Sequence, residues 1–214
     1  MIKRVYIFLS CVFFLGGCSF DSEPMPEIVT SSRYVPRDIP PRVVVPERNS
    51  RGSYGNIPRS WFPPPQVEKG WRAIIVHHTA TDFGNAALID KWHRERNHWE
   101  GVGYDFVIGN GTDSGDGEVE VTFRWRKQIP GAHCKTPNNW ANEDGIAICL
   151  IGNFNDTRPT PRQVQSLLKL IRFLQKRYGI PTSRVYGHGT TPGAHVTECP
   201  GRNLSITKLR SILN

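Results

Sequence analysis

The sequence predicts an α/β domain in which a central mixed β-sheet is flanked by helices. Short apolar runs at residues 72–77 and 146–151 are typical of buried strands. A long amphipathic segment at residues 161–178 has the spacing of a helix that covers one face of a sheet. Strand-like and helical segments follow one another in the order β-α-β-β-β-α-β-α, and this order predicts helices on the faces of a mixed sheet.

The first half of the domain starts with the apolar strand at residues 72–77, which ends at a polar turn. A helix is predicted at residues 85–96 because their apolar side chains recur on or near one helical face. Two strand-like segments follow at residues 104–108 and 118–125, and the second alternates polar and apolar residues. Residues 110–117 between them are rich in Gly, Asp and Asn, which favours a turn.

The second half of the domain contains the long helix and two shorter elements. Thr160 is predicted to cap the long helix, with Pro161 at its first position, where the missing N–H costs nothing. Gly179 lies where a C-terminal cap belongs. A short strand at residues 185–187 and a final helix at residues 204–213 complete the predicted domain.

The N-terminus resembles the signal of a bacterial lipoprotein. Residues 1–17 combine a basic start, an apolar run and small residues, which predicts a secretory signal. The apolar run is shorter than the ~20 residues that span a bilayer. The sequence LGGC at residues 15–18 resembles a lipobox, which implies that Cys18 is lipidated. By the same resemblance, Ser19 favours the outer membrane facing the periplasm. An ordinary cleaved signal with an incidental cysteine is the alternative.

A proline-rich segment separates this signal from the domain. Residues 18–66 show no lasting helical or strand period, and their prolines favour an extended, semi-stiff and disordered tether. About 45 residues at the polyproline rise reach on the order of 140 Å, enough for a lipid-anchored domain to touch a wall away from its membrane. The domain is predicted at residues 67–214. This boundary is soft, because Trp61 and Phe62 are apolar and can pack onto the domain.

The charge favours an anionic partner. The formal net charge is +8, and loss of Lys3 and Arg4 with the signal leaves about +6. Such a surface suits nucleic acid, anionic lipid or acidic wall peptides, although solubility alone also accounts for it. The sequence contains no arginine-rich stripe, recognition-helix pattern or aromatic sheet motif, so we expect no nucleic-acid partner.

Three cysteines remain in the soluble part. Cys149 lies inside an apolar strand and is predicted to be a buried, unreactive thiol. Cys134 follows His133 in a loop; a disulfide with Cys149 is one option, but the sequence does not determine connectivity. Cys199 lies in the turn-rich sequence TECPG, just after a polar stretch that contains histidines.

Histidine and thiolate together suit zinc, which prefers nitrogen and sulfur ligands. His77 and His78 end a buried strand, from which a side chain can project into a rigidly held site. His188 and His195 precede Cys199 in the chain. A catalytic zinc takes three protein ligands and leaves one position open. The candidates lie over a hundred positions apart and no HExxH is present, so satisfied core or surface histidines remain the alternative at this point.

Six fragments in order resemble the zinc-dependent N-acetylmuramoyl-L-alanine amidases, a superfamily that includes phage lysozyme-type amidases and animal peptidoglycan recognition proteins. The resemblance covers residues 72–213. The fragments are IIVHHTAT at 74–81, VGYDFVIGNG at 102–111, GAHC at 131–134, NEDGIAICLIGNF at 142–154, YGHG at 186–189 and TECPG at 197–201.

This resemblance implies roles for eight residues and a Zn²⁺ cofactor. The metal ligands would be His77, His188 and Cys199; the catalytic residues Tyr104 and Thr197; and the substrate-binding residues His133, Trp99 and Asn142.

The chain departs from the family pattern at three places. His98 replaces the usual Gly before Trp99, which weakens a hint of preference for diaminopimelate stems. The interval from His188 to Cys199 is longer than in similar proteins and contains His195, which is an alternative ligand. Thr197 stands where phage relatives carry Lys, so it cannot supply a positive charge.

The expected activity is hydrolysis, by zinc-activated water, of the amide bond between the lactyl group of N-acetylmuramic acid and L-alanine of the stem peptide. The expected partners are peptidoglycan or muropeptides, with the membrane reached through the N-terminal lipid, and the expected state is a monomer. The first alternative is a non-catalytic peptidoglycan-binding module of the same fold. The others are a thiol hydrolase using Cys134 with His133, and a structural lipoprotein that tethers the wall.

Overall fold

The computed structural model describes residues 56–214, and within them it shows a five-stranded mixed sheet with helices on both faces. The predicted signal, the lipidation site Cys18 and most of the predicted tether lie outside the described residues. The strands are β1 Ala73–His78, β2 Phe106–Ile108, β3 Val119–Val121, β4 Gly145–Leu150 and β5 Val185–Gly187. The helices are α1 Ala86–Asn97, α2 Phe123–Lys127, α3 Trp140–Asp144, α4 Pro161–Tyr178 and α5 Ile206–Leu213, with short 3-10 helices at Arg59–Trp61, Pro137–Asn139, Thr182–Arg184 and His188–Thr190.

The strand order is β3-β2-β4-β1-β5, with β1 between two parallel neighbours. Strands β4 and β5 both run parallel to β1, and β2 runs parallel to β4. The pairing of β2 with β3 is antiparallel, and it closes one edge of the sheet. The predicted mixed sheet is therefore confirmed, and the carboxyl ends of four parallel strands lie along one edge.

One predicted strand is wrong in part. The alternation at residues 118–125 predicts a single long strand, but β3 ends at Val121 and helix α2 begins at Phe123. Thr122 is the reason: its side chain accepts a hydrogen bond from the backbone N–H of Arg124 and so caps the new helix. Helix α2 also places Trp125 in the core, where its indole N–H donates to the carbonyl of Trp61. Helices α2 and α3 were not predicted.

The long helix has the predicted ends. Thr160 and Gln163 form a reciprocal capping box at the N-terminus of α4, with Pro161 in the first turn. Gly179 ends the helix with φ = 67°, a left-handed conformation that glycine adopts without the steric cost of a Cβ. The apolar stripe of α4 packs on one face of the sheet and contributes much of the main core.

The chain upstream of β1 packs against this same helix. Trp61 is only 4% exposed and contacts Phe173 of α4, which Phe62 also meets edge-on. Glu68 accepts two 2.6 Å hydrogen bonds from the guanidinium of Arg177. The predicted domain start at residue 67 stays a prediction, but these packing contacts begin before it. None of the helices within residues 56–214 has the length and apolar character needed to cross a membrane.

The opposite face of the sheet holds the candidate site. Alternation along β1 directs Ile74 and Val76 into the main core, so His77 projects to the other face beside Ile75. Residues of α1 and α3 pack on that face. The face that packs against α4 therefore holds the strands in place, and the opposite face carries the side chain of His77.

Candidate active site

Two histidines meet because two parallel strands end side by side. Val76 of β1 pairs with Gly187 of β5, so His77 and His188 occupy the next row of the same register. The ring centroids of His77 and His188 are 4.8 Å apart. His77 is buried, whereas His188 is half-buried at the start of a 3-10 helix. The sheet therefore holds one ligand candidate rigidly and the turn after β5 supplies the second.

Cys199 reaches the histidines on a loop that is tied to that turn. The N–H of Gly189 donates to the carbonyl of Cys199 at 2.8 Å, and the N–H of Cys199 donates to Oγ1 of Thr197 at 3.2 Å. A Cβ on Gly189 would lie 2.0 Å from the carbonyl oxygen of Thr197, so glycine permits this close approach. As a result, Sγ of Cys199 lies 3.7 Å from Nδ1 of His77.

His77, His188 and Cys199 form a cluster whose ligand atoms all lie within 4.8 Å of one another. A tetrahedral zinc site with ordinary bond lengths separates its nitrogen and sulfur ligands by about 3.3–3.6 Å. The distance between His77 and Cys199 already approaches that spacing, and a pair at the 4.8 Å limit would need to close by about 1.2–1.5 Å. Two imidazoles and one thiol also match the ligand types that zinc prefers, so the residues present fit this metal.

The protonation states of the cluster agree with a metal site. Burial lowers the pKa of His77 well below its usual value, and burial also lowers the pKa of His188. Both rings are therefore neutral near pH 7, the form that binds metals. Burial raises the pKa of the Cys199 thiol to about 12, so without a nearby cation this thiol stays protonated. A bound metal would have to displace that proton.

Tyr104 lies beside the cluster. Its ring centroid is 5.1 Å from that of His77 and 5.6 Å from that of His93. The carbonyl of Tyr104 accepts a 2.7 Å hydrogen bond from the hydroxyl of Thr122, which fixes its backbone ahead of β2. Burial raises the pKa of Tyr104 well above its usual value. The phenol is thus a hydrogen-bond donor across the neutral pH range.

A groove of about 470 Å³ opens next to the cluster. Of the predicted site residues, Trp99, Thr197 and His188 line it together with His133 and Asn142. Trp99 is 39% exposed and stands against the ring of His93. The complete lining is Trp99, Ala132, His133, Cys134, Lys135, Asn139, Asn142, His188, His195 and Thr197. Lys135 is basic and none of these residues is acidic, which suits an anionic ligand.

His133 and Asn142 lie at the edge of this groove but are largely buried. Nδ1 of His133 is 3.0 Å from Nε2 of His77. Oδ1 of Asn142 accepts hydrogen bonds from the backbone N–H groups of His133 and Cys134, at 2.9 and 3.0 Å. The side-chain hydrogen bonds of both residues are therefore made to protein groups.

The remaining candidates lie outside the cluster. His195 lines the groove but is not among the clustered ligand atoms, and Nδ1 of His78 accepts a hydrogen bond from the N–H of Phe154. Cys134 and Cys149 are buried and both are free, so the structure shows no disulfide between them. Burial raises the pKa of the Cys134 thiol to about 11, which disfavours it as a nucleophile.

Sequence reasoning missed two residues near the cluster, His93 and Cys149. His93 of α1 contacts the rings of both Trp99 and Tyr104, and its Nδ1 accepts the N–H of Gly103. It also lines a second cavity of about 200 Å³, together with Tyr104 and other residues of α1. Residues 89, 93 and 96 recur at helical spacing, so the sequence already placed them on one face of the predicted helix. Cys149 is the register partner of His77 on β4; the sequence predicted a buried strand there, but not its pairing with β1.

The fold and the site define a class of protein: a mixed α/β domain with a His/His/Cys candidate metal centre at its strand ends, beside an open groove. The family model described as N-acetylmuramoyl-L-alanine amidase matches residues 66–202. The chain belongs to this family, as the six sequence fragments predicted.

Individual proteins show the same similarity. Peptidoglycan-recognition protein SC2 of Drosophila simulans is 30% identical over 139 residues, covering 61% of this chain and 68% of the relative. A second peptidoglycan-recognition protein of the same species is 31% identical over 163 residues, covering 69% of this chain and 82% of that relative.

Solved structures share the fold. The N-acetylmuramoyl-L-alanine amidase LysC from Clostridium intestinale URNW matches with a TM-score of 0.57 and 30% identity, covering 68% of this chain and 86% of LysC. Wild-type Drosophila PGRP-LB matches with a TM-score of 0.52 and 24% identity, covering 71% of this chain and 89% of that one. A mutant of PGRP-LB solved in complex with tracheal cytotoxin matches with a TM-score of 0.51 and 25% identity, covering 71% and 89%.

Proposed function

We propose that this chain is a zinc-dependent N-acetylmuramoyl-L-alanine amidase. Its reaction is hydrolysis of the amide bond between the lactyl group of N-acetylmuramic acid and L-alanine of the stem peptide. The observation that carries the proposal is the cluster of His77, His188 and Cys199 beside an open groove, with the ring of Tyr104 next to His77. The family membership and the amidase LysC among similar structures support the same reaction.

The proposed metal is zinc, held by His77, His188 and Cys199. When bound, zinc supplies a Lewis acid and lowers the pKa of water toward neutrality. The chain's own contribution to this step is the rigid placement of the three ligands by β1, by the turn after β5 and by the loop tied to Gly189. Because both imidazoles are neutral, neither needs to lose a proton to bind the metal.

The chain also supplies donors for the charge that develops on the scissile carbonyl oxygen. The Tyr104 phenol is protonated near pH 7, and its ring lies beside that of the proposed ligand His77. The Thr197 hydroxyl accepts the N–H of Cys199 and keeps its own proton to donate toward the groove. Two such donors would stabilise an oxyanion without carrying a charge themselves. Trp99 and Lys135 in the groove lining would contact the sugar or the acidic stem peptide.

The similar proteins indicate which ligand the groove would bind. A mutant of Drosophila PGRP-LB was solved in complex with tracheal cytotoxin, and the similar Drosophila proteins are named for peptidoglycan recognition. We propose peptidoglycan or a muropeptide as the ligand here. The names of these relatives favour a second candidate, a module that binds the wall without cutting it. The presence of Cys199 in the cluster favours the enzyme, because a binding module needs no third metal ligand.

Digestion of purified sacculi by the full chain tests the reaction. We expect release of stem peptides with a free L-alanine amine, identified by mass, and no newly cut glycan. Cys199→Ser is the control, because it removes one proposed ligand and should lower both zinc content and release. Binding to sacculi without any release would favour the recognition module instead. A Cys199→Ser chain with wild-type zinc and wild-type release would contradict the site assignment.

A separate proposal concerns location. We propose that the signal at residues 1–17 is removed, that Cys18 is lipidated, and that the domain is anchored at the outer membrane facing the periplasm. The LGGC sequence and the proline-rich tether support this proposal. Fractionation of cells that express wild-type and Cys18→Ser chains tests it. The wild-type chain should be found in the outer membrane and the variant should not.

A further inference from the structure

We infer that His133 is a positioning residue for the proposed metal ligand His77, and does not bind substrate. This inference rests on the proposed function, because it assumes that His77 binds a metal. The resemblance to the amidases implied that His133 and Asn142 contact substrate, but the side-chain hydrogen bonds of both go to protein groups. The role we infer is to fix which nitrogen of His77 faces the metal.

The two nitrogens of His77 face different partners. Nδ1 points to Sγ of Cys199 at 3.7 Å, within the cluster. Nε2 points away from the cluster to Nδ1 of His133 at 3.0 Å. A metal therefore has to bind at Nδ1, and Nε2 then carries the proton. In that state the N–H of His77 donates to Nδ1 of His133, which must be unprotonated.

The conformation of the His133 side chain is restrained by its neighbours. Asn142 accepts hydrogen bonds from the backbone N–H groups of His133 and Cys134, and its own amide donates to Oδ1 of Asn139 at 2.7 Å. A Cβ on Gly131 would lie 2.3 Å from Cδ2 of His133, so glycine provides the space for the ring. The side chain thus has little freedom to turn toward the groove.

The second nitrogen of His133 does not contradict this role. Nε2 is buried and has no hydrogen-bond partner within residues 56–214, so it is not presented to solvent in the groove. His133 is one of the residues that line the groove, but its side-chain hydrogen bond goes to His77. Residues that orient a metal-bound histidine in this way raise metal affinity by fixing the tautomer and the ring plane, typically by roughly 10–100-fold.

Two variants of similar size separate the two roles. His133→Asn places an amide oxygen near the position of Nδ1 and keeps an acceptor for His77, whereas His133→Leu removes it. Zinc affinity of the full chain is measured by competition with a chromogenic chelator, and binding to sacculi by co-sedimentation of the metal-free chain. We expect His133→Leu to lose roughly 10–100-fold in zinc affinity. His133→Asn should stay close to wild type, and sacculus binding should not change in either variant.

Several outcomes would overturn the inference. A folded His133→Leu chain with wild-type zinc affinity would contradict it, and loss of sacculus binding in that chain would assign His133 to the substrate. If the variant does not fold, ¹⁵N NMR of the zinc-loaded wild-type chain decides: metal at Nε2 of His77 contradicts the inference and metal at Nδ1 supports it. A wild-type chain that binds no zinc would overturn the proposed function as well, which distinguishes the two failures.

Discussion

The Sγ atom of Cys199 lies 3.7 Å from Nδ1 of His77, although 122 positions separate the two residues in the chain. The sheet register brings His188 to the same point from a third part of the sequence. Such convergence at the carboxyl ends of parallel strands places polar groups on rigid supports. The predictions below test whether this convergence holds a metal, and what the surrounding residues contribute.

Alanine variants of His188 and His195 show which of these two histidines is a ligand of the proposed metal. We expect His188→Ala to reduce zinc content from about one ion per chain to near zero, since a three-ligand site loses a ligand. His195→Ala is the matched control and should retain zinc, because its ring lies outside the cluster. Elemental analysis of the two purified chains checks this. The reverse pattern would make His195 the ligand.

Tyr104→Phe tests the proposed oxyanion donor. The substitution keeps the ring beside His77 and removes only the hydroxyl. Loss of one such donor typically lowers the rate by about 10²–10³, so stem-peptide release should slow by that order while zinc content stays at the wild-type level. Rates and metal content are measured on the same sample. Unchanged release would remove Tyr104 from the mechanism, and loss of zinc would indicate a structural role.

Asp105 should make stability depend on pH. Its carboxylate is buried; Oδ2 accepts the N–H of Ala147, but Oδ1 has no hydrogen-bond partner among the described residues. Burial raises its pKa from 3.8 to about 7. The folded chain thus binds a proton more tightly than the unfolded chain, and the cost of ionising Asp105 grows as pH rises from about 4 to about 7.

Asp105→Asn should relieve that cost and keep an acceptor for Ala147. We expect the variant to gain stability at pH 8, by as much as about 4 kcal/mol at 1.36 kcal/mol per pKa unit, and clearly less at pH 5. Denaturant unfolding at the two pH values measures the difference. An equal gain at both would mean that Asp105 titrates like an exposed carboxyl.

Glu68→Gln tests how far the domain extends upstream of β1. Glu68 accepts two hydrogen bonds from Arg177 and one from Tyr178, and the side chains of Glu68 and Arg177 are only 12% and 15% exposed. Removing one partner of a buried pair costs about 3–5 kcal/mol, so unfolding free energy should fall by about 3 kcal/mol. Glu95→Gln breaks an exposed pair with Lys91 and should cost less than about 1 kcal/mol. Similar losses in both would contradict the structural role of Glu68.

The sequence predicted the elements whose signals are local. Apolar strands, the capping box at Thr160 and the glycine cap at Gly179 depend on near neighbours in the chain, and the structure confirms them. The prediction failed at Thr122, because the alternation of residues 118–125 fits a strand as well as a cap followed by a short helix. Burial of Trp125 against the rest of the core, together with the Thr122 cap, selects the second.

The site was predicted less completely, for a physical reason. Resemblance to a family picked out His77, His188 and Cys199, and the structure brings these three together. The direction of a side chain depends on the local backbone conformation and on residues that are distant in the chain. Short sequence fragments carry no information about those distant contacts. His133 therefore could not be distinguished as a partner of His77 before the structure. The place of Cys149 next to His77 likewise depends on the strand register.

Titration of the metal-free full chain with zinc, with stem-peptide release from sacculi measured at each step, tests the central claim most directly. We predict that release is absent without metal, rises in proportion to bound zinc, and reaches its plateau at about one ion per chain, as a single three-ligand site requires. The released peptides should carry a free L-alanine amine. Release that does not depend on zinc, or no release at full occupancy, would contradict a zinc-dependent amidase.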